Sequence, residues 1–249
     1  MCTGTRTPTV EYIVTCDEIL VTLCRGYRNQ DICHNTGHML RCVPSHLLKF
    51  NSVAQCVNCR ECLLYEPLAK VLLTFEYIQD FFTYVENPQF DIAADAFSTF
   101  RDLLTRHKSL ASQCIVANYE DFFLRYNVLL QSSNFITKMN SLNLLSELLY
   151  DRNNLSVMKK YVDSEDNLKL IMNLMLDSSS KVQMVAISIF KIFLLNPKKS
   201  DAVQTILLRN KELLLTFLEN LNMLSDDERF LNERSSIMTR LKELQTDEE

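Results

Sequence analysis

Apolar residues recur along this chain at helical spacing, and the stripes they form repeat at a fixed interval. Residues 91–104 (DIAADAFSTFRDLL), 136–149 (ITKMNSLNLLSELL) and 181–195 (KVQMVAISIFKIFLL) superimpose at an offset of 45. The small residues Ala96, Ser141 and Ala186 coincide. So do Phe97, Leu142 and Ile187, then Phe100, Leu145 and Phe190, then Leu103, Leu148 and Phe193. Steps of three and four place each set on one face of an α-helix. The third copy is apolar on nearly all sides, through Val182, Val185, Ile189, Ile192 and Phe193. That pattern predicts a helix packed between layers.

Second helical patterns separate these copies. Residues 72–85 carry Asp80-Phe81-Phe82, which recurs as Asp121-Phe122-Phe123 within residues 117–130, an offset of 41. Further helical patterns run from Asn167 and from Ala202 to Leu218. Periods of about 40–47 residues with two or three helices each are those of HEAT and armadillo units. The predicted fold is therefore all-α, an armadillo/HEAT-like helical-repeat solenoid, with residues 1–249 as a single domain.

An earlier copy is interrupted. Residues 31–41 match 91–101 at an offset of 60, whereas 61–69 match 102–110 at 41. Removing residues 42–60 restores the repeat, so this stretch reads as an insertion, with Pro44 favouring a break. At the C-terminus, Ser225 followed by acidic residues predicts an N-cap. A helix with Phe230, Ile237 and Leu241 then closes the stack. At the other end, Thr7-Pro8 opens a helix that no preceding one covers, so a shortened solenoid is expected.

Composition narrows the function. Only 3 Gly and 5 Pro occur in 249 residues, too few for the tight turns of a sheet-rich fold. At 47% hydrophobic and 23% charged, the chain carries enough apolar surface to fold. The net charge of -5 and the isolated basic pairs Lys159-Lys160 and Lys198-Lys199 argue against nucleic acid, which needs clustered cations. These pairs read as solvated helix ends. The apolar run 185–195 is broken by Lys191 and too short to span a bilayer. The first ten residues lack the apolar core of a secretion signal. Nine cysteines, an odd number and most of them within helical patterns, point to a reducing, cytoplasmic setting rather than a disulfide framework.

Candidate chemistry is sparse. Cys42, Cys56, Cys59 and Cys62, with His46 nearby, supply the four ligands a tetrahedral zinc needs. The usual second Cys-x-x-Cys pair is missing, and Cys62 falls on the repeat position of Leu103. The reading is accordingly no metal and no cofactor, with Cys62 acting as a buried small hydrophobe. His34, His38, His46 and His107 have no Ser, Cys or carboxylate partner at a recurring spacing, and no catalytic residue is assigned. Met172 and Met175, at helical spacing, read by themselves as core filler.

Several stretches carry a resemblance. They include residues 4–13 (GTRTPTVEYI), 66–70 (EPLAK), 90–97 (FDIAADAF), 102–108 (DLLTRHK), 147–154 (ELLYDRNN), 167–176 (NLKLIMNLML) and 206–210 (ILLRN). In these the chain resembles the calcium-binding protein 39 (mouse protein 25) scaffold family, from about residue 4 to 245. The family's N-terminal repeats have no counterpart here, and residues 42–60 have none in the family. The family name notwithstanding, no EF-hand loop is present.

The resemblance implies a non-catalytic scaffold, monomeric within heteromeric complexes. It would bind kinases and pseudokinases of the sterile-twenty group and support a liver kinase B-type complex. Phe90 and Arg152 match family positions that contact the partner. Met172 and Arg209 match a pocket that accepts a Trp-Glu-Phe-type tail, and Met172 counts among the kinase-binding positions. Met139 stands where the family has a gripping Arg, and Leu155 where it has an interface Phe. An Arg fork has no equivalent in Met, so the resemblance implies weakened pseudokinase binding with the tail pocket retained. Two alternatives stay open: a metal- or redox-responsive cysteine protein, and a weakly functional truncated isoform.

Overall fold

The computed structural model describes Arg25, Leu63, residues 66–221 and residues 228–244. The supposed insertion 42–60, with Cys42, Cys56 and Cys59, lies outside the described residues, as do Cys62 and the opening helix at Thr7-Pro8. The described residues carry twelve α-helices and no strand. The class is the all-α, armadillo/HEAT-like helical repeat that the spacing predicts. Two compact units are distinguished, Met1–Ser141 and Leu142–Glu249.

The first unit holds α1 (Glu66–Leu72), α2 (Phe75–Tyr84), α3 (Phe90–Thr105), α4 (Lys108–Ala117), α5 (Tyr119–Leu130) and the first half of α6 (Phe135–Tyr150). Its core is aromatic. Phe82 meets Phe100 edge-on at 5.2 Å and Phe122 at 5.5 Å, while Phe81 stacks on Phe100 at 6.0 Å. Edge-to-face pairing at these distances adds about 0.5–1.5 kcal/mol per pair beyond area burial. The recurring Phe81-Phe82 and Phe122-Phe123 are thus one cluster drawn from two repeats, all buried. The buried Tyr126 hydroxyl donates to the Ser141 carbonyl at 2.8 Å, so the ring enters the core without stranding its polar end.

The second unit holds the rest of α6, a 3-10 turn (Arg152–Asn154), α7 (Leu155–Val162) and α8 (Glu165–Met175). It continues through α9 (Ser180–Leu195), α10 (Asp201–Arg209), α11 (Lys211–Asn220) and α12 (Glu228–Glu243). Side-chain caps start two of them. Ser164 Oγ accepts from the Asn167 N–H, and Ser200 Oγ from the Val203 N–H, each replacing a bond that a helix start lacks. α9 packs on α8 and on α12. Val182, Ile189 and Phe193 are buried, as its all-round apolar pattern requires, while Ile192 is half-buried.

The 45-residue period is a structural fact. Helices α3, α6 and α9 each have 16 residues and begin at 90, 135 and 180. All twelve positions superimposed in sequence are buried. One difference is instructive. The stretch from Ala202 to Leu218 reads as one helical pattern but forms α10 and α11, split at Asn210. The Asn210 side chain donates to the Ile206 carbonyl at 2.8 Å. The Asn210 backbone N–H donates to the same carbonyl at 3.1 Å, so backbone and side chain together cap the end of α10.

Candidate functional site

A groove of about 1140 Å³ opens in the second unit. One wall is the 3-10 turn and α7, the other is the C-terminal half of α9 and the loop after it, and the last residues of α6 close one end. Its apolar lining includes Leu149, Leu155, Ile192 and Leu195.

Local chemistry shapes each wall. Asp151 Oδ1 accepts from the Asn153 N–H at 2.9 Å and from Asn153 Nδ2 at 2.8 Å. Asn154, only 2% exposed, donates from Nδ2 to the Leu148 carbonyl at 3.1 Å. These bonds seat the 3-10 turn on the end of α6 and leave its neighbours Arg152 and Leu155 exposed, Leu155 at 50%. On the far wall, Asn196 Oδ1 accepts from the Lys198 N–H at 3.1 Å and Asn196 Nδ2 donates to the Lys198 carbonyl at 2.8 Å. This holds the Asn196-Pro197-Lys198 corner rigidly beside the groove.

The rim is cationic. Arg152, Lys159 and Lys160 come from one wall, Lys191 and Lys198 from the other, against the carboxylates of Asp151 and Asp163. Lys191 is held by Glu233 of α12 at 3.3 Å, and the other oxygen of that carboxylate accepts from Ser188 Oγ at 2.9 Å. The Ser188 carbonyl in turn accepts from the Tyr150 hydroxyl at 2.9 Å. The Tyr150 phenol is pushed up to about 12, first by shielding of the hydroxyl and second by the Glu233 charge.

The groove joins two of the sequence-derived positions, Arg152 and Leu155. Met172 is half-buried on α8 and Arg209 is exposed at the end of α10; neither lines the groove. In the first unit, Phe90 is exposed at 59% as the first residue of α3, and Met139 is half-buried on α6.

Sequence reasoning passed over other groove and surface residues. Lys159-Lys160 and Lys198 read as solvated helix ends, and no local pattern marks Lys198 as facing the same cavity as Lys159 and Lys160. Phe135 did carry a signal. It sits 45 residues after Phe90, at the same first helical position of α6, and is likewise exposed at 47%.

Comparison with known proteins accords with the fold and the repeat. A family model described as Mo25-like matches residues 2–245. Calcium-binding protein 39-like from Homo sapiens is 42% identical over 242 residues, 97% of this chain and 66% of the relative. MO25-like protein 2 from Caenorhabditis elegans is 41% identical over 242 residues, with the same coverage of each chain. Mo25-like protein from Schizosaccharomyces pombe is 37% identical over 242 residues, 97% of this chain and 68% of the relative. The chain thus spans about 66% of the length of the first of these relatives. With a whole-chain model match, these identities and the 45-residue helical period, the chain belongs to the Mo25-like family.

Proposed function

We propose that this protein is a non-catalytic scaffold of the cytoplasm that docks kinases or pseudokinases of the sterile-twenty group and biases them toward their active arrangement, as part of a liver kinase B-type complex. The observation that carries the reading is the groove itself. It collects Arg152 and Leu155, two of the second-unit positions that the family resemblance assigns to partner contact, onto one apolar, cation-rimmed surface. The names of its relatives describe no catalytic activity. A scaffold works by differential affinity, holding the conformer it fits best, and a helical frame fixed by caps and buried amides keeps its surface preorganised.

The test is a titration of a purified sterile-twenty-type pseudokinase domain against the whole 249-residue chain, with Leu155→Asp as the comparison. Leu155 is exposed, so the substitution places a charge in the groove without entering the core. Micromolar binding by the natural chain and at least about tenfold loss in Leu155→Asp would support the reading, the loss expected when a contact residue is replaced by a desolvated charge. No measurable binding by the natural chain, or equal binding by both, would reject it.

A further inference from the structure

We infer that this protein pairs with a second copy of itself through the solvent face of α5, with Leu124 and Val128 as apolar anchors and Asp121 of each copy against Arg125 of the other. The inference stands apart from the groove and from the scaffold reading. It departs from the monomer that the family resemblance implies.

Helices α2, α5, α8 and α11 share one pattern of burial. Phe81-Phe82 of α2, Phe122-Phe123 of α5, Asn167-Leu168 of α8 and Leu214-Leu215 of α11 are all buried, and these pairs align the four. The position directly after each pair turns to solvent. It is Thr83, Lys169 and Thr216 in α2, α8 and α11, but Leu124 in α5. Four residues further on stand Asn87, Asn173 and Asn220, but Val128 in α5. Leu124 is 71% exposed and Val128 63%. Three repeats thus meet water with polar residues at both positions, so packing does not require the apolar pair. A step of four places Leu124 and Val128 on one stripe. Single exposed apolar residues are ordinary. A stripe of two where every equivalent position is polar calls for a partner surface.

Charge selects the occupant. Asp121 and Arg125 run along one flank of the stripe, also four residues apart and both exposed. Neither forms an ion pair with the other or with any other described residue. A two-fold contact sets the same face of each copy against itself. With the helices antiparallel and the axis beside Leu124, like flanks meet, so Asp121 lies opposite Arg125 of the other copy, twice. On the other flank Glu120 comes opposite the uncharged Asn127, so no like charges meet. The face is its own electrostatic complement, whereas a uniformly acidic or basic partner would meet an attraction and a repulsion side by side. Leu124 meets its copy near the axis, and Val128 extends the apolar contact by one turn. One helix face falls short of the roughly 800 Å² per partner of a standard interface. Self-association with a Kd on the order of tens of micromolar is therefore expected.

Sedimentation velocity of the whole chain, from about 1 to about 200 µM, brackets that Kd. The natural chain should pass reversibly from monomer to dimer as concentration rises. Leu124→Lys/Val128→Asn installs the residues that α8 carries. It should stay monomeric throughout and keep the natural melting temperature at the lowest concentration, since both side chains are exposed. Asp121→Arg should weaken the dimer about tenfold by setting Arg against Arg, and Asp121→Arg/Arg125→Asp should restore it. If the apolar double variant fails to fold, the charge series still decides the question. A natural chain that is monomeric at the highest concentration would overturn the inference and leave the face to a different protein. So would a dimer unchanged by Leu124→Lys/Val128→Asn, growth beyond the dimer, or a charge swap that fails to restore association.

Discussion

The Glu233 carboxylate on α12 bridges two groups of α9, holding Lys191 Nζ at 3.3 Å with one oxygen and Ser188 Oγ at 2.9 Å with the other. Both charged side chains are about three-quarters buried, with relative exposures of 27% and 23%. A pair in this setting is worth more than a solvated one, because water screens it less. Removing the carboxylate also leaves the Ser188 hydroxyl only the longer bond to the Met184 carbonyl, at 3.3 Å. Glu233→Ala should therefore cost about 2 kcal/mol of stability, and Lys191→Met about 1 kcal/mol. Urea denaturation of both variants and the double variant closes a mutant cycle. A coupling energy of at least about 0.5 kcal/mol is expected; additive effects would show that the pair contributes nothing as a pair.

The same network gives Tyr150 a pH signature. Its phenol is raised from 10.0 to about 12 by shielding and by the Glu233 charge. The folded state thus keeps a proton that the unfolded state releases above pH 10. The stability associated with the neutral hydroxyl is fully present below pH 10 and is lost as the pH rises toward 12. Tyr150→Phe removes the bond to the Ser188 carbonyl and should cost about 1 kcal/mol at neutral pH. The gap between the two chains should narrow from pH 10 to 12 in denaturant titrations. A gap that stays constant or widens would contradict the assignment.

How much of this was legible in the sequence differs by level. The repeat was, because burial keeps each aligned position either small or large and apolar. Ala96, Ser141 and Ala186 are all small, and all three are fully buried. The split between α10 and α11 was not, because Asn210 interrupts an apolar stripe without breaking its period. The groove was half legible. Arg152 and Leu155 came from family resemblance, since neither stands out by type or spacing. The lysines opposite them could not be assigned, because a cation on a helix end looks the same in sequence whether it faces bulk water or a cavity. Tyr150 was hidden for a related reason. It ends a helix stripe like any aromatic, and only the approach of Ser188, 38 residues later, gives its hydroxyl a role.

In the first unit the aromatic cluster has a keystone. Phe82 touches Phe100, Phe122 and Tyr126, at 5.2, 5.5 and 6.3 Å, so it joins helices α2, α3 and α5. Phe82→Ala removes those ring contacts and leaves a cavity that packed helices fill only in part. The expected loss is about 3–5 kcal/mol, a fall in melting temperature of about 10 °C for a chain of this size. Phe82→Leu, which keeps most of the volume, should cost well under half as much. Equal losses for the two variants would mean that the ring geometry, not the cavity, dominates.

Cys114 on α4 offers the last test. Its thiol donates to the Leu73 carbonyl at 2.7 Å, and burial pushes it from 9.0 up to about 11. The thiolate is the nucleophile, so at pH 8 this cysteine should alkylate far more slowly in the folded protein than in urea, as read by mass spectrometry of the peptide that contains it. The linkage has a definite sign. Between pH 9 and 11 the folded state retains the proton while the unfolded state loses it, so stability falls across that window. Cys114→Ala should lose the bond to Leu73 yet show a shallower decline from pH 9 to 11. Rapid alkylation of the folded chain at pH 8, or an unchanged alkaline slope in Cys114→Ala, would place the thiol in solvent rather than against the Leu73 carbonyl.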